Sequence, residues 1–297
     1  MRRSIDLHVH STASDGSLTP GELFEQAASL RLTAMAITDH DTLAGLPLAE
    51  EASARVGVEL VPGVEIAVDY PHGKMELLGL LIDRQAGGIA ERLRVLQANR
   101  ANRNAVMVAK MQALGLDVTL AEFEEEAGGP LVGRPHMARV LVRKGIVQNA
   151  QEAFDGYLAA GGPAYVPKDK IGVEEGLRLI HEAGGVAVMA HPHSTKLPDD
   201  ELFAEMKRLK GLGLDGVECY YSLYSPDRIE SLLRMARRAG LLASGGSDFH
   251  GITKPKVRLG HVDGDLPAPA ALLDKLKACA ERRRAAAGCR PNEKTPS

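Results

Sequence analysis

The chain has 297 residues, 44% hydrophobic and 25% charged, enough to bury the core of one large domain or of one domain carrying an insertion. Its 36 Lys and Arg against 39 Asp and Glu leave a formal charge of -3, which excludes a global attraction for polyanions; any phosphate must be held by local cations, metal ions or clustered Arg. With no Trp, five Phe and six Tyr, base-stacking platforms are scarce and extended sequence-specific RNA binding is disfavoured.

The opening Met1-Arg2-Arg3 has the charge of a signal peptide, but Asp6, His8 and His10 interrupt the apolar run that would have to follow. No uncharged apolar stretch approaches the length of a membrane span. Cys219, Cys279 and Cys289 form no Cys-x-x-Cys pair and leave an odd number, so no disulfide framework, no structural zinc knuckle and a reducing, cytoplasmic setting are expected.

Runs rich in Val, Ile and Leu predict seven strands, at residues 4–10, 33–40, 59–68, 74–82, 185–193, 215–221 and 241–248. Helical patterns lie between most of them; in TPGELFEQAASL, Thr19 supplies the N-cap, Pro20 the first turn and Glu22 the capping box. This alternation predicts an α/β protein: a parallel sheet under outer helices, closed or nearly closed into a barrel, with an open doubly wound sheet as the alternative. About a hundred residues separate the fourth run from the fifth, too many for one crossover, and they read as helical. The expected division is a barrel domain at 1–94 and 168–287, a helical insertion or lid at 95–167, and a polar tail at 288–297.

Acids and imidazoles gather at strand ends. His8 and His10 end the first strand, Asp39 and His40 the second; Glu65 sits late in the third, His191 and His193 end the fifth, and Asp248 and His250 follow the seventh. In a β/α barrel all these ends open onto one face. His-x-His on a strand points both rings to one side, where two neutral imidazoles can chelate a cation, although alone it is more often a polar edge. Oxygen and nitrogen donors without thiolate suit Mn, Fe or Zn in a hydrolytic centre. The donors exceed what one ion needs, so two or three divalent ions are expected, with Glu65 bridging a pair about 3.5–4 Å apart.

His193 is a candidate to orient phosphate or protonate a leaving alkoxide, or equally to steady a ligand from behind; Glu218 is a candidate to accept from a ligand imidazole and Tyr220 or Tyr221 to wall the pocket, although core packing is the stronger reading of these three. In VGRPHMARVL, Pro135 marks a helix start, which puts Arg134 and His136 near exposed N–H groups and a positive dipole end, a setting for phosphate. Arg100 and Arg103, one turn apart, are candidates for a second phosphate or simply a solvated basic face; Lys168 and Lys170 are weaker candidates. No Ser or Cys stands in a G-x-S-x-G or Cys-His context, so a covalent nucleophile is not expected.

In order along the chain, DLHVHSTASDGSLTP, AITDHDT, PGVEI, AHPH and GGSDFHG resemble the PHP (polymerase and histidinol phosphatase) superfamily. The resemblance is strongest to its small standalone phosphoesterases, which include 3',5'-nucleotide bisphosphate phosphatases and a 5'-to-3' exoribonuclease. It implies a (β/α)7 barrel, here distorted and carrying the helical insertion, and usually three metals. It also implies His8, His10, Glu65 and Asp248 around one ion, Glu65 and His191 on a second, and Asp15, His40 and His250 on a third. Asp15 alone would read as a turn residue before Gly16. Where the family often has His ahead of the LLG run, this chain has Glu76, which would favour Mn or Mg over Zn or leave that site weak.

Manganese is the first expectation, with iron or zinc as alternatives. The implied activity is removal of the 3'-phosphate from nucleoside 3',5'-bisphosphates; the alternatives are 5'-to-3' exonuclease action on short 5'-phosphorylated RNA and an inactive metal-binding module. A small nucleotide is the expected partner, short RNA the alternative, with no membrane and no obligate protein partner.

Overall fold

The computed structural model describes residues 4–128, 132–262, 268–286 and 288. Of the expected tail only Gly288 is included, and Cys289 lies outside the described residues. The elements in chain order are β1 (Ser4–Asp6), α1 (Pro20–Ser29), β2 (Ala34–Ile37), α2 (Leu46–Val56), β3 (Glu59–Asp69), β4 (Met75–Leu80), α3 (Gly87–Ala113), α4 (Leu120–Ala127), α5 (Arg134–Arg143) and α6 (Ala150–Ala153). Then come β5 (Ile171–Gly172), α7 (Val173–Glu182), β6 (Val186–Met189), α8 (Asp199–Leu212), β7 (Gly216–Tyr221), α9 (Pro226–Ala239), β8 (Leu242–Gly246), β9 (Ala268–Pro269) and α10 (Ala271–Ala286).

Local signals explain the helix starts. Thr19 Oγ1 accepts from the Glu22 N–H at 3.3 Å while Glu22 Oε2 accepts from the Thr19 N–H at 2.8 Å, and Thr119 and Glu122 repeat the device at α4.

The strands run in the order β8-β7-β6-β4-β3-β2-β1-β9. Main-chain bonds beyond the strand ends close the ring between β1 and β8: Leu7 N–H to Gly245 O at 3.1 Å, Asp248 N–H to His8 O at 2.8 Å and His10 N–H to Phe249 O at 3.0 Å. Seven strands therefore form a nearly closed barrel, and the two-residue β5 and β9 extend its rim. The expected all-parallel sheet is corrected at one place, because β4 runs antiparallel to both β3 and β6. A turn at residues 70–74 joins β3 directly to β4, and a hairpin of that length cannot make the crossover a parallel neighbour requires.

Apolar clusters fill the barrel and the layers around it, whereas a separate cluster running from Met107 to Ala164 belongs to the inserted helices. Helix α3, about 40 Å long, serves both: Ile89, Leu93 and Leu96 pack on the barrel, and Met107, Val108 and Met111 enter the insertion's core. No helix among the described residues is long and apolar enough to cross a membrane.

Candidate metal centre and substrate cleft

His8 and His10 lie just past β1 in extended chain, and Val9 between them bridges to Phe249 and points into the core. Both rings consequently face the barrel mouth, each wholly buried. Gly246 makes this possible, because a Cβ there would lie 2.3 Å from the His8 nitrogen. Three residues around the mouth have left-handed backbone: Asp41 at φ 53°, His191 at φ 23° and Asp248 at φ 58°. Such conformations persist only where the surroundings over-determine them, and here they follow the ends of β2, β6 and β8.

Glu65 is the hub. Its Oε2 lies 3.0 Å from His40 Nδ1, 3.2 Å from His10 Nε2 and 3.4 Å from His8 Nε2, while its Oε1 lies 2.9 Å from His191 Nε2. Asp248 Oδ1 stands 3.5 Å from His8 Nε2 and 3.4 Å from His10 Nε2. Asp15 Oδ1 is 3.3 Å from His250 Nε2, and Asp15 Oδ2 is 3.9 Å from His40 Nε2. Glu76 reaches both sides, 3.8 Å from His40 Nδ1 and 3.5 Å from His191 Nε2. All nine expected ligands thus converge, in four overlapping groups: His10, Asp15, His40 and His250; His8, Glu65 and His191; His8, His10 and Asp248; and His40, Glu65 and Glu76.

The donor set fits divalent cations. Glu65 Oε2 and His10 Nδ1 are buried without a hydrogen-bond partner among the described residues, and His8 and His10 bring Nε2 atoms within 3.1 Å of each other. Lone pairs aimed at one another have no favourable arrangement unless a proton or cation sits between them. Burial opposes charge on His8, but the carboxylates of Glu218, Glu65 and Asp248 outweigh it and lift its pKa well above the usual 6.5. His10 and His191 are likewise pushed up to about 9, despite burial, by Glu65 with Asp248 and with Glu76 respectively. Against burial, nearby cationic groups hold three carboxylates well below their usual range: His40 and His8 act on Glu65, His40 and His250 on Asp15, and His8, His10 and Lys254 on Asp248. An imidazole binds a cation only as its neutral base, so metal binding here would compete with protons at His8, His10 and His191.

Residues behind the ligands orient them. Glu218, for which core packing was the stronger expectation and an acceptor for a ligand imidazole the weaker, accepts from His8 Nδ1 at 3.0 Å and from the His191 N–H at 2.7 Å, which leaves His8 Nε2 facing the mouth. Asp248 Oδ2, turned away from the imidazoles, accepts from the Tyr221 hydroxyl at 2.8 Å and from Lys254 Nζ at 2.5 Å. Nothing in the spacing of GGSDFHGITK singles out Lys254. Asp39 is wholly occupied by Ser11 and Ser14, and so shapes the turn that carries Asp15.

A cleft of about 700 Å³ opens from the cluster toward the insertion. Asp15, His40, Glu76 and His250 form its floor, and Lys74, Arg100, Arg103, Arg134, Lys168 and Lys254 are among its walls. Arg103 donates to Val166 O at 2.9 Å, and Arg134 donates to Leu158 O at 3.1 Å while lying over the rings of Phe154 and Tyr165. His136 is not among the residues lining the cleft. It is buried, its Nδ1 accepts the Gly133 N–H at 3.0 Å as a cap of α5, and burial pulls its pKa down to about 4. His193 is also outside the cleft lining, with Nδ1 against the Tyr224 hydroxyl at 3.0 Å and its pKa lowered by partial burial and by His191.

Residues 6–164 match the PHP domain family. A 3',5'-nucleoside bisphosphate phosphatase of Chromobacterium violaceum is 34% identical over 89% of this chain and 93% of its own length. The 5'-3' exoribonuclease Rnm of Escherichia coli is 36% identical, covering 82% of this chain and 84% of its own. Among solved structures, a Bifidobacterium adolescentis protein described as a metal-dependent phosphoesterase superposes with a TM-score of 0.81 at 32% identity, over 94% of this chain and 96% of that one.

Proposed function

Since this chain belongs to the PHP domain family and is a metal-dependent hydrolase of phosphoric esters, we propose that it removes the 3'-phosphate of nucleoside 3',5'-bisphosphates. The products are the nucleoside 5'-monophosphate and inorganic phosphate. One observation carries this reading: a cleft of about 700 Å³ lined both by Asp15, His40, Glu76 and His250 of the cluster and by Arg100, Arg103, Arg134 and Lys168, a size within the ~300–1,000 Å³ of small-molecule sites. A bisphosphate has one anionic group for each end.

In this reading His8, His10, Glu65 and Asp248 would hold one ion, Glu65 and His191 a second, and Asp15, His40 and His250 a third. Glu76 would offer a carboxylate oxygen beside His40 and Glu65, a donor that shifts preference toward Mn or Mg over Zn. Bound ions supply polarisation of the phosphoryl group, activation of water and charge neutralisation. The chain's own residues do the rest. Lys254 adds positive charge beside Asp248, and Arg100, Arg103 and Arg134 hold the second phosphate. His193, its Nδ1 held by Tyr224, serves the leaving oxygen as proton donor through Nε2. Helices α3 and α5 act as the lid that brings these arginines over the barrel mouth.

A second reading, 5'-to-3' exonuclease action on short 5'-phosphorylated RNA, is favoured by the similarity to Rnm. Incubating the Mn-loaded chain with adenosine 3',5'-bisphosphate and with a 5'-phosphorylated short RNA distinguishes the two. Faster release of phosphate and 5'-AMP from the bisphosphate supports the phosphatase; faster mononucleotide release from the RNA replaces it with the exonuclease.

A further inference from the structure

Asp41 follows the ligand His40 and belongs to none of the donor groups, yet it is only 2% exposed and has the left-handed φ of 53°. Asp is one of the few residues with a side chain that visits this region without large strain. Its backbone fastens the barrel to the insertion: the Asp41 N–H donates to Glu65 O at 2.9 Å, and Asp41 O accepts from Gln97 Nε2 on α3 at 2.8 Å. Its carboxylate faces the cleft's cations, with Oδ2 accepting from Lys168 Nζ and lying 3.6 Å from Arg100 Nη2. Lys168 and Arg100 both line the cleft.

Long cationic side chains lose much rotamer freedom when they grip an anion, and a partner that fixes them beforehand lowers that cost. Here one carboxylate faces two cations, so the group keeps a net positive charge toward the cleft after pairing. Asp41 Oδ1 and Arg100 Nε are buried with no hydrogen-bond partner among the described residues, so the pairing is not saturated.

We propose that Asp41 is a positioning residue for substrate: it anchors Lys168 and Arg100 over the cleft and so fixes where the phosphate remote from the reacting bond is held. This rests on the phosphoester reading above. It assigns the specificity for a second anionic group to a residue that would touch no substrate atom.

Binding of adenosine 3',5'-bisphosphate to the full-length chain in chelator, followed by calorimetry so that no turnover intervenes, tests it as a double-mutant cycle. Asp41→Asn should weaken binding about tenfold in the wild-type background and less than about twofold where Arg100→Gln and Lys168→Met are already present. With the Mn-loaded enzyme, KM should rise by a larger factor than kcat falls. Equal weakening in both backgrounds, unchanged or tighter binding by Asp41→Asn, or no measurable binding by the wild type would overturn the proposal. Should Asp41→Asn yield little folded chain, Lys168→Gln carries the test: about fivefold weaker binding is expected, and unchanged binding overturns it. A wild-type chain that binds the bisphosphate but does not turn it over refutes the proposed activity and leaves this cycle to decide the role of Asp41.

Discussion

The two ends of the barrel treat buried charge in opposite ways. Below the strands, Asp215 is 4% exposed and fully engaged: Oδ2 accepts from His181 Nε2 and the Ala187 N–H, both at 3.0 Å, and Oδ1 accepts from Arg283 Nε at 3.0 Å. Above them, Glu65 is just as buried, but its Oε2 has imidazole nitrogens around it and no hydrogen bond, and His10 Nδ1 has none either. Protein groups compensate the lower acid, which makes it a contributor to stability. At the upper face Glu65 meets imidazoles, whose positive charge depends on protons or cations taken up from solution, and that dependence is what suits the face to be a site.

Breaking the upper face should have the largest effect. Asp248→Asn should lower kcat/KM by about a thousandfold or more, with loss of at least one bound ion by elemental analysis, because it removes a charged ligand from a shared cluster. Retention of both activity and metal would contradict the assignment. Next in size is Glu218→Gln, which leaves His8 in place but weakens the acceptor that fixes its tautomer; a 10- to 100-fold loss in metal affinity is expected from a metal titration.

The lower face should respond in stability instead. Asp215→Ala should cost about 2 kcal/mol in denaturant unfolding, less than a fully buried pair because Arg283 is 32% exposed, while turnover changes less than about twofold. A large fall in turnover without loss of stability would erase the contrast. The smallest effect concerns pH. Burial raises the Asp215 pKa, but His181 and Arg283 outweigh it and hold the group below the usual value. Its contribution is therefore present above the unfolded pKa of about 3.9 and lost as pH falls through the folded value, so Asp215→Asn should flatten the acid limb of stability below about pH 4.

The upper face was the more legible in sequence, for a physical reason. Ligands must be His, Asp or Glu, and a barrel delivers them at strand ends, so His8, His10, His40, His191 and Asp248 announce themselves by position. Glu218 was only half legible: an acceptor for a ligand imidazole was the weaker reading beside core packing, because a buried acid inside the apolar strand GVECYY carries no local sign of which imidazole it faces. Lys254 and Asp41 were silent: what matters for each is a partner brought near by folding, Asp248 for one and Lys168 for the other. His136 was legible by its place near a helix start, but not the use of its Nδ1 as the cap of α5, which depends on the local turn at Gly133. The hairpin that reverses β4 was legible only as a gap too short for a helix.

Thermal unfolding of the metal-free chain titrated with Mn2+ tests most directly whether the upper face is completed by ions. Stability should rise with metal, by about 2.7 kcal/mol at a concentration a hundredfold above Kd, and Glu65→Gln should abolish most of that rise. No stabilisation together with no bound metal by elemental analysis would contradict the account.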